Sequence, residues 1–302
     1  MYRPRTQWVS GLPMMTENNF SAGLSSESLD RLDALRALLR GMGRVLVAFS
    51  GGVDSALVLK VAHEVLGPDA IALTAISPTF PPEEQEEAVR FCEGLGVEHV
   101  LVDSQELEVE GYAANGGDRC YFCKSELFTL AQDRARKMGV PFVLDGTILD
   151  DLGAHRPGLV AAGENEVRHP LVEAGMGKAH VREIARHFKL PVWSKPSFAC
   201  LGSRFPVGTR VTLERVGHIQ RVESYLRAIG LRQFRARFHR LEGEAMVRIE
   251  VDPAEFSKIV VVHDALVEVC NAEGFKWVTL DLAGYRTGSI SHPLGSEIAP
   301  SA

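Results

Sequence analysis

Three short segments of this chain carry residue types that can do chemistry. The first is Ser50-Gly51-Gly52-Val53-Asp54-Ser55. Two adjacent glycines let a backbone turn tightly and approach an anion closely. A Val-rich run, Arg44 to Phe49, precedes them and a helical stretch follows. The loop therefore opens a helix, whose first N–H groups and dipole favour a phosphate. Ser50 and Ser55 add hydroxyl donors. Asp54 suits such a site once Mg²⁺ stands between its carboxylate and the phosphates. A glycine turn with a helix cap would use similar residues, but the whole hexapeptide between strand and helix favours phosphate binding. No Gly-Lys-Ser/Thr follows, so the loop is not of the Walker type.

The other two segments are Cys120-Tyr-Phe-Cys123-Lys124 and Ala199-Cys200-Leu-Gly-Ser-Arg204. A Cys-x-x-Cys pair can bind metal, form a disulfide or simply pack. Zinc usually takes four ligands, and a second pair is missing. Redox pairs open a helix, a position this pair also suits. Three cysteines can hold an iron–sulfur cluster with one iron left open. Cys200 lies in a Pro/Gly-bounded loop near Lys195, Arg204 and Arg210, and positive charge favours a thiolate. That reading is preferred over a small buried hydrophobe between Phe198 and Leu201. Cys92 and Cys270 read as packing residues within helices. An odd number of cysteines, five, without a secretory signal argues for reduced thiols and a cytoplasmic protein.

The elements that must position these residues alternate. Helical spacing runs over 28–40, from the end of the 50–55 segment to about Leu66, over 82–95, 122–138 and 178–189. Apolar strands fall at 44–49, 70–76, 97–102 and 141–144, with a fifth expected at 191–193. Continuous apolar strands between helices mark a doubly wound, mostly parallel α/β sheet covered on both faces. The Gly/Pro-rich stretches 145–177 and 193–210 belong at strand ends, where such folds place their chemistry. After about residue 208 the order becomes helix 213–229, strands 233–238 and 245–251, helix 253–271 and strand 277–280, a small α+β unit. The expected division is a flexible tail 1–25, an α/β domain 26–208, an α+β domain 209–290 and a tail 291–302.

A chain of 302 residues with 45 % apolar and 24 % charged content supports two ordinary domains. The net charge of −6 lacks the basic footprint of a nucleic-acid binder. No run approaches the roughly 20 apolar residues of a membrane span.

In order, Ser50–Ser55, Arg119–Lys124, Asp145-Gly-Thr147, Arg156-Pro-Gly158, Lys195-Pro196, Ala199–Arg204 and Asp281-Leu-Ala-Gly-Tyr-Arg-Thr-Gly-Ser289 resemble the LarE family. These are ATP-dependent sulfurtransferases acting on pyridinium-3,5-biscarboxylic acid mononucleotide, within the PP-loop ATP pyrophosphatases. The resemblance spans about residues 27–290. It implies adenylylation of a substrate carboxylate, release of pyrophosphate, and displacement of AMP by sulfur to give a thiocarboxylate for a nickel-pincer nucleotide cofactor.

It also implies roles by position. Ser50, Gly51, Gly52, Asp54 and Ser55 bind ATP phosphates with Mg²⁺, and Asp150 or Asp151 assists nucleotide or metal. Lys124 and Arg204 neutralise the activated carboxylate or leaving phosphate. Cys200 matches the sulfur-bearing cysteine, which in one form of the family is itself sacrificed to dehydroalanine. In another form, favoured here by Cys120 and Cys123, three cysteines hold a [4Fe-4S] cluster whose open iron carries sulfide.

Arg235 and Arg237 alternate along one strand face and are expected to hold the substrate phosphate. Glu223 and Glu250 are expected as metal or subunit-interface partners. A solvated, paired surface is the competing account of these four. Arg286 is a weaker candidate. Ile148 stands where family members often carry Asn, and Gly202 is expected to affect only loop shape. A homo-oligomer, up to a hexamer, with no nucleic-acid or membrane partner, completes the expectation. The alternatives are a PP-loop tRNA sulfurtransferase, an amidating synthetase, and a non-catalytic nucleotide-binding protein.

Overall fold

The structure is a computed structural model and describes residues 23–152, 157–196, 199–286 and 289–290. Arg156, Thr287 and Gly288 of the motifs above, and the tails apart from 23–25, lie outside the described residues. Ser25 caps the first helix and also bonds the Glu183 carboxylate.

The helices are α1 (Ser26–Met42), α2 (Val53–Leu66), α3 (Pro82–Leu95), α4 (Glu110–Ala113), α5 (Arg119–Met138), α6 (Pro157–Glu164), α7 (Pro170–Glu173), α8 (Lys178–His187), α9 (Leu213–Ala228), α10 (Phe256–Val261) and α11 (His263–Ala272). The strands are β1 (Val45–Ala48), β2 (Ala70–Ile76), β3 (Glu98–Asp103), β4 (Phe142–Leu144), β5 (Phe234–Leu241), β6 (Glu244–Val251) and β7 (Trp277–Leu280). The first four strands form one parallel sheet in the order β3-β2-β1-β4.

Strand alternation explains the two layers over this sheet. Val45 and Val47 of β1 face the core built with α1, α2 and α8, whereas Leu46 and Ala48 face the core built with α5 and α6. Both sets are buried, so β1 reads as a continuous apolar run. The C-terminal ends of β1, β2 and β4 open on one edge, and the functional loops emerge there.

The second sheet is β5-β6-β7, with β5 antiparallel and β7 parallel to β6. One face of β5 (Phe234, Ala236, Phe238) joins a core with α9 and α11, and that core also takes in Tyr112, Leu201 and Phe205. The opposite face presents Arg235, Arg237 and His239, all buried.

Two expectations differ from the observed elements. Residues 191–193 form a turn rather than a strand, since the Trp193 and Lys195 N–H groups bond back to Leu190 O and Val192 O at 3.1 and 3.0 Å. The helix expected over 253–271 is a 3₁₀ turn followed by α10 and α11, separated at Val262. The β-branched run Ile259–Val262 lowers helix propensity there.

The second unit is fastened to the cysteine loop by a buried ion pair. Arg204, fully buried, donates from Nε and Nη2 to the two oxygens of Glu223 at 2.8 and 2.9 Å. Glu223 also accepts the Ala236 N–H at 2.9 Å, and although burial works against its ionisation, Arg204 and this N–H hold its pKa below the ordinary range. Removing one partner leaves a lone buried charge. Arg204→Ala should therefore destabilise the fold by about 3–5 kcal/mol, measured by denaturant unfolding. The double variant R204M/E223Q should cost less than the sum of its single changes, because no unpaired charge remains.

Candidate functional site

The glycine loop is shaped by its own backbone and by a neighbour distant in sequence. Gly51 adopts φ +71°, a left-handed conformation that glycine reaches without strain. Gly52 precedes α2, and no side chain caps the first N–H groups of that helix. Ser55 Oγ accepts the Ser50 N–H at 3.3 Å and donates to Gly52 O at 3.2 Å, closing the loop on itself. Gly146 then packs directly on the start of α2, where a Cβ would stand 2.6 Å from the Ser55 nitrogen. Asp-Gly-Thr is therefore a contact motif: only hydrogen fits at its centre. Gly146→Ala should cost about 2 kcal/mol or more and abolish ATP binding, as read by thermal unfolding and calorimetry.

Asp145 and Thr147 flank this contact. Asp145 accepts from the Thr147 N–H and hydroxyl at 3.0 and 2.8 Å and pairs with His169 Nδ1 at 2.7 Å. Burial opposes ionisation of Asp145, but His169 and the charge of Lys124 hold its pKa down. The Asp145 bond conversely raises the pKa of His169. Nothing in the sequence marked His169, which lies just before α7. Because its folded pKa is raised, its contribution to stability is full below about pH 6.5, the unfolded value. It is lost as pH rises through the folded pKa. His169→Phe should flatten the pH dependence of Tm across that interval.

Asp54 does not face open solvent alone. Both its oxygens accept from Lys178 Nζ, at 2.9 and 2.7 Å. Asp150 Oδ2 accepts the Lys178 backbone N–H at 2.8 Å, capping α8, and Asp151 Oδ2 accepts the Ile148 N–H at 3.1 Å. The two aspartates expected near nucleotide or metal thus sit in local turns behind Asp54. Ile148 is buried and packs in the core. A carboxylate partly open to solvent beside the uncapped N–H groups of α2 suits Mg²⁺, which needs only one or two carboxylates when phosphates complete its shell.

The cysteines lie around one end of α5. Cys120 is exposed, and Cys123 and Cys200 are half-buried. The Cys123 thiol donates to Glu106 Oε2 at 3.1 Å, while Glu106 Oε1 accepts from the hydroxyls of Ser77, at 2.8 Å, and Thr79. Burial, followed by the Glu106 charge, pushes the Cys123 thiol pKa up.

Of the three cations expected around Cys200, Arg204 stays at the loop but has its charge paired, and Lys195 and Arg210 pair with carboxylates on other elements. Lys195 pairs with Glu84 and Glu87, Arg204 with Glu223, and Arg210 with Glu110. Arg119 takes their place. It donates to Gly202 O at 2.5 Å and Asn115 Oδ1 at 2.7 Å, and stands within electrostatic reach of Cys200 and Cys120. Gly202 does more than shape a loop, because a Cβ there would fall 2.3 Å from the Tyr112 hydroxyl oxygen.

Arg204 Nη1 donates to Ala199 O, Cys200 O and Ser203 Oγ, at 2.6, 3.2 and 2.8 Å. It therefore sets the path of the cysteine loop. Arg237 donates to Ser203 O at 2.9 Å, Glu250 at 3.1 Å and Ser289 Oγ at 3.2 Å. Arg235 lies under the Tyr285 ring, 5.0 Å from its centre. Arg235 and Arg237 are 8 % and 4 % exposed, so they are not a solvated surface pair. Arg286 reaches Asp281 at 3.4 Å and is exposed. A cavity of about 560 Å³ lies between α3, residues 191–196 and β5, with Glu84, Lys195, Arg204, Glu223, Arg227 and Arg235 among its walls. Cationic side chains outnumber carboxylates around it.

Among the described residues, no three His, Cys, Asp or Glu side chains form a ready metal-ligand group. The three thiols nevertheless have the donor chemistry of a cluster site, and Cys200 lies close enough to act on the Cys123 thiol. Neither Glu223, bound to Arg204, nor Glu250, which accepts from Arg237, Arg248 and Ser289, belongs to such a group.

A parallel sheet, an uncapped helix after Ser-Gly-Gly and a second small sheet define the PP-loop class of α/β enzymes. The family model for NAD synthase matches residues 32–116. A pyridinium-3,5-bisthiocarboxylic acid mononucleotide synthase from Lactiplantibacillus plantarum is 37 % identical over 86 % of this chain and 93 % of its own length. An uncharacterized protein of Synechocystis is 42 % identical over 87 % of this chain and 98 % of its own. The B subunit of a glutamine-hydrolyzing GMP synthase from Thermococcus kodakarensis is 26 % identical over 82 % and 87 %. The chain belongs to the LarE family of ATP-dependent PP-loop enzymes. Among the described residues, no helix is long and apolar enough to cross a membrane.

Proposed function

We propose that this chain converts the carboxylates of pyridinium-3,5-biscarboxylic acid mononucleotide to thiocarboxylates at the expense of ATP. The observation that carries this reading is the cysteine loop, whose carbonyls are held by Arg204, a residue that also lines a cationic cavity together with Arg235. The similarity to a pyridinium-3,5-bisthiocarboxylic acid mononucleotide synthase supports this product chemistry. A substrate carboxylate oxygen attacks the α-phosphorus of ATP and pyrophosphate leaves. A sulfur nucleophile then attacks the acyl carbon, and AMP departs with the former carboxylate oxygen. Activation is needed because a carboxylate oxygen is a poor leaving group.

The loop 50–55 holds the phosphates, and Asp54 holds Mg²⁺ with them. Lys124, beside Asp145 and His169, stabilises charge on the leaving phosphate. Arg204 serves as a positioning residue for Cys200, since its donors are committed to Glu223 and the loop carbonyls. Arg235 and Arg237 hold the mononucleotide phosphate. Burial, together with the charge of Arg204, lowers the pKa of both, so an incoming anion relieves repulsion between them. Self-association, up to a hexamer, belongs to the proposal, supported by the exposed Val261 and Leu282 of the C-terminal unit.

Cys120, Cys123 and Cys200 would hold a [4Fe-4S] cluster, which when bound supplies an iron-held sulfide as the transferable sulfur. The absence of a ready ligand group among the described residues favours a second reading. In it, Cys200 Sγ attacks the acyl carbon and expels AMP. Loss of the Cys200 Cα proton and cleavage of its Cβ–S bond then leave dehydroalanine and the thiocarboxylate.

Anaerobically purified protein with ATP, Mg²⁺ and the biscarboxylate should release pyrophosphate and AMP. Peptide mass at Cys200 then separates the routes. An intact cysteine with repeated turnover on added sulfide supports the cluster, whereas dehydroalanine in proportion to product supports sacrifice. No AMP under either condition would refute the substrate assignment.

A further inference from the structure

The ATP site contains a charge that opposes its ligand. Asp54 stands in the first turn of α2, and its carboxylate repels a triphosphate. The structure answers this charge with Lys178, whose Nζ contacts both Asp54 oxygens. Lys178 is the first residue of α8, where the helix dipole disfavours a cation. It is nonetheless held there. Asp150 Oδ2 accepts its backbone N–H, and Gly177 leaves room for that carboxylate, since a Cβ would lie 2.7 Å from the same oxygen. Val181, Ile184 and Ala185 of α8 share one core with Val53, Ala56 and Leu57 of α2, which fixes the two helix starts relative to each other. Both members of the pair stay reachable, with side chains 30 % and 27 % exposed. A tie serving stability alone needs no such access and no placement beside the phosphate loop.

We propose that Lys178 is the counter-ion of the nucleotide site. It neutralises Asp54 while no metal is present, so that the loop accepts the triphosphate, and it yields the carboxylate to Mg²⁺ arriving with the nucleotide. The inference rests on the ATP reading above.

Calorimetric titration of the full chain with ATP, in EDTA and in saturating Mg²⁺, tests it. Lys178→Met should weaken metal-free binding by about tenfold or more but binding in Mg²⁺ by only about threefold or less, because the metal replaces the lost charge. Lys178→Arg should bind like the parent. The double variant D54N/K178M should regain most of the metal-free affinity, since no carboxylate remains to be neutralised. Unchanged metal-free binding by K178M overturns the proposal. So does a double variant as weak as K178M, which would make Lys178 a direct phosphate ligand. If K178M does not fold, D54N/K178M is compared with D54N: equal metal-free affinity is expected, and a further loss overturns the proposal. Failure of the parent chain to bind ATP even with Mg²⁺ would instead refute the ATP reading itself.

Discussion

The arrangement of the sulfur-bearing loop depends on one guanidinium. Arg204 has no exposed surface, and its planar fork fits both oxygens of Glu223 while a third nitrogen gathers the carbonyls of Ala199 and Cys200. Lysine could not substitute, because a single ammonium cannot hold a carboxylate in two parallel bonds and still reach the loop. Glu223 is in turn fixed by the Ala236 N–H, so α9, β5 and the cysteine loop meet at one ion pair. Buried pairs of this kind add little net stability over apolar packing. What this one adds is placement, since it sets where Cys200 stands relative to the arginine face of β5.

That face carries an imbalance of charge. Arg235 and Arg237 alternate with core residues along β5, and opposite them on β6 lie Glu250 and Arg248. Glu250 accepts from both Arg237 and Arg248, while Arg248 also approaches Asp281 at 3.6 Å. His239 continues the same face, and burial, with Arg248 adding to it, lowers its pKa to about 4. At neutral pH it is therefore an uncharged ring, and the sheet avoids one further buried cation. A face that lowers its own charge in this way is still positive beside the cavity, which suits an anionic ligand more than water.

The parts of the molecule legible in the sequence were those made by neighbours in the chain. The strand–glycine–helix order around Ser50–Ser55 and the alternation of Arg235 with Arg237 need only local periodicity. Residues that act across the fold left no such mark. Lys178 meets Asp54, His169 meets Asp145 and Arg119 meets the Cys200 loop only after the sheet has assembled. The environment of Cys200 shows the error this invites. Lys195 and Arg210 are near it in the chain, yet each is drawn to a carboxylate on another element, and Arg204 remains at the loop with its charge paired to Glu223. Arg119 could have been suspected from its place beside Cys120, but only the fold shows which loop it reaches. Gly202 was likewise opaque, because the atom that excludes a side chain there belongs to Tyr112.

Activation and sulfur transfer must occur within reach of one substrate, and the parallel sheet provides the common frame. The phosphate loop leaves the end of β1, and Gly146, leaving the end of β4, closes on its helix. The segment leaving β2 contributes Ser77 and Thr79 to the Glu106 carboxylate that contacts Cys123, and the Thr79 carbonyl accepts the Leu201 N–H at 2.9 Å. The loop of Cys200 is thus pinned by backbone to the segment leaving β2, the strand next to β1, from which residues 50–55 emerge. Adjacent strands stand about 4.8 Å apart, so loops leaving their ends are neighbours whatever their sequence separation. In the reaction proposed above, the carboxylate activated at loop 50–55 would meet sulfur at a neighbouring loop.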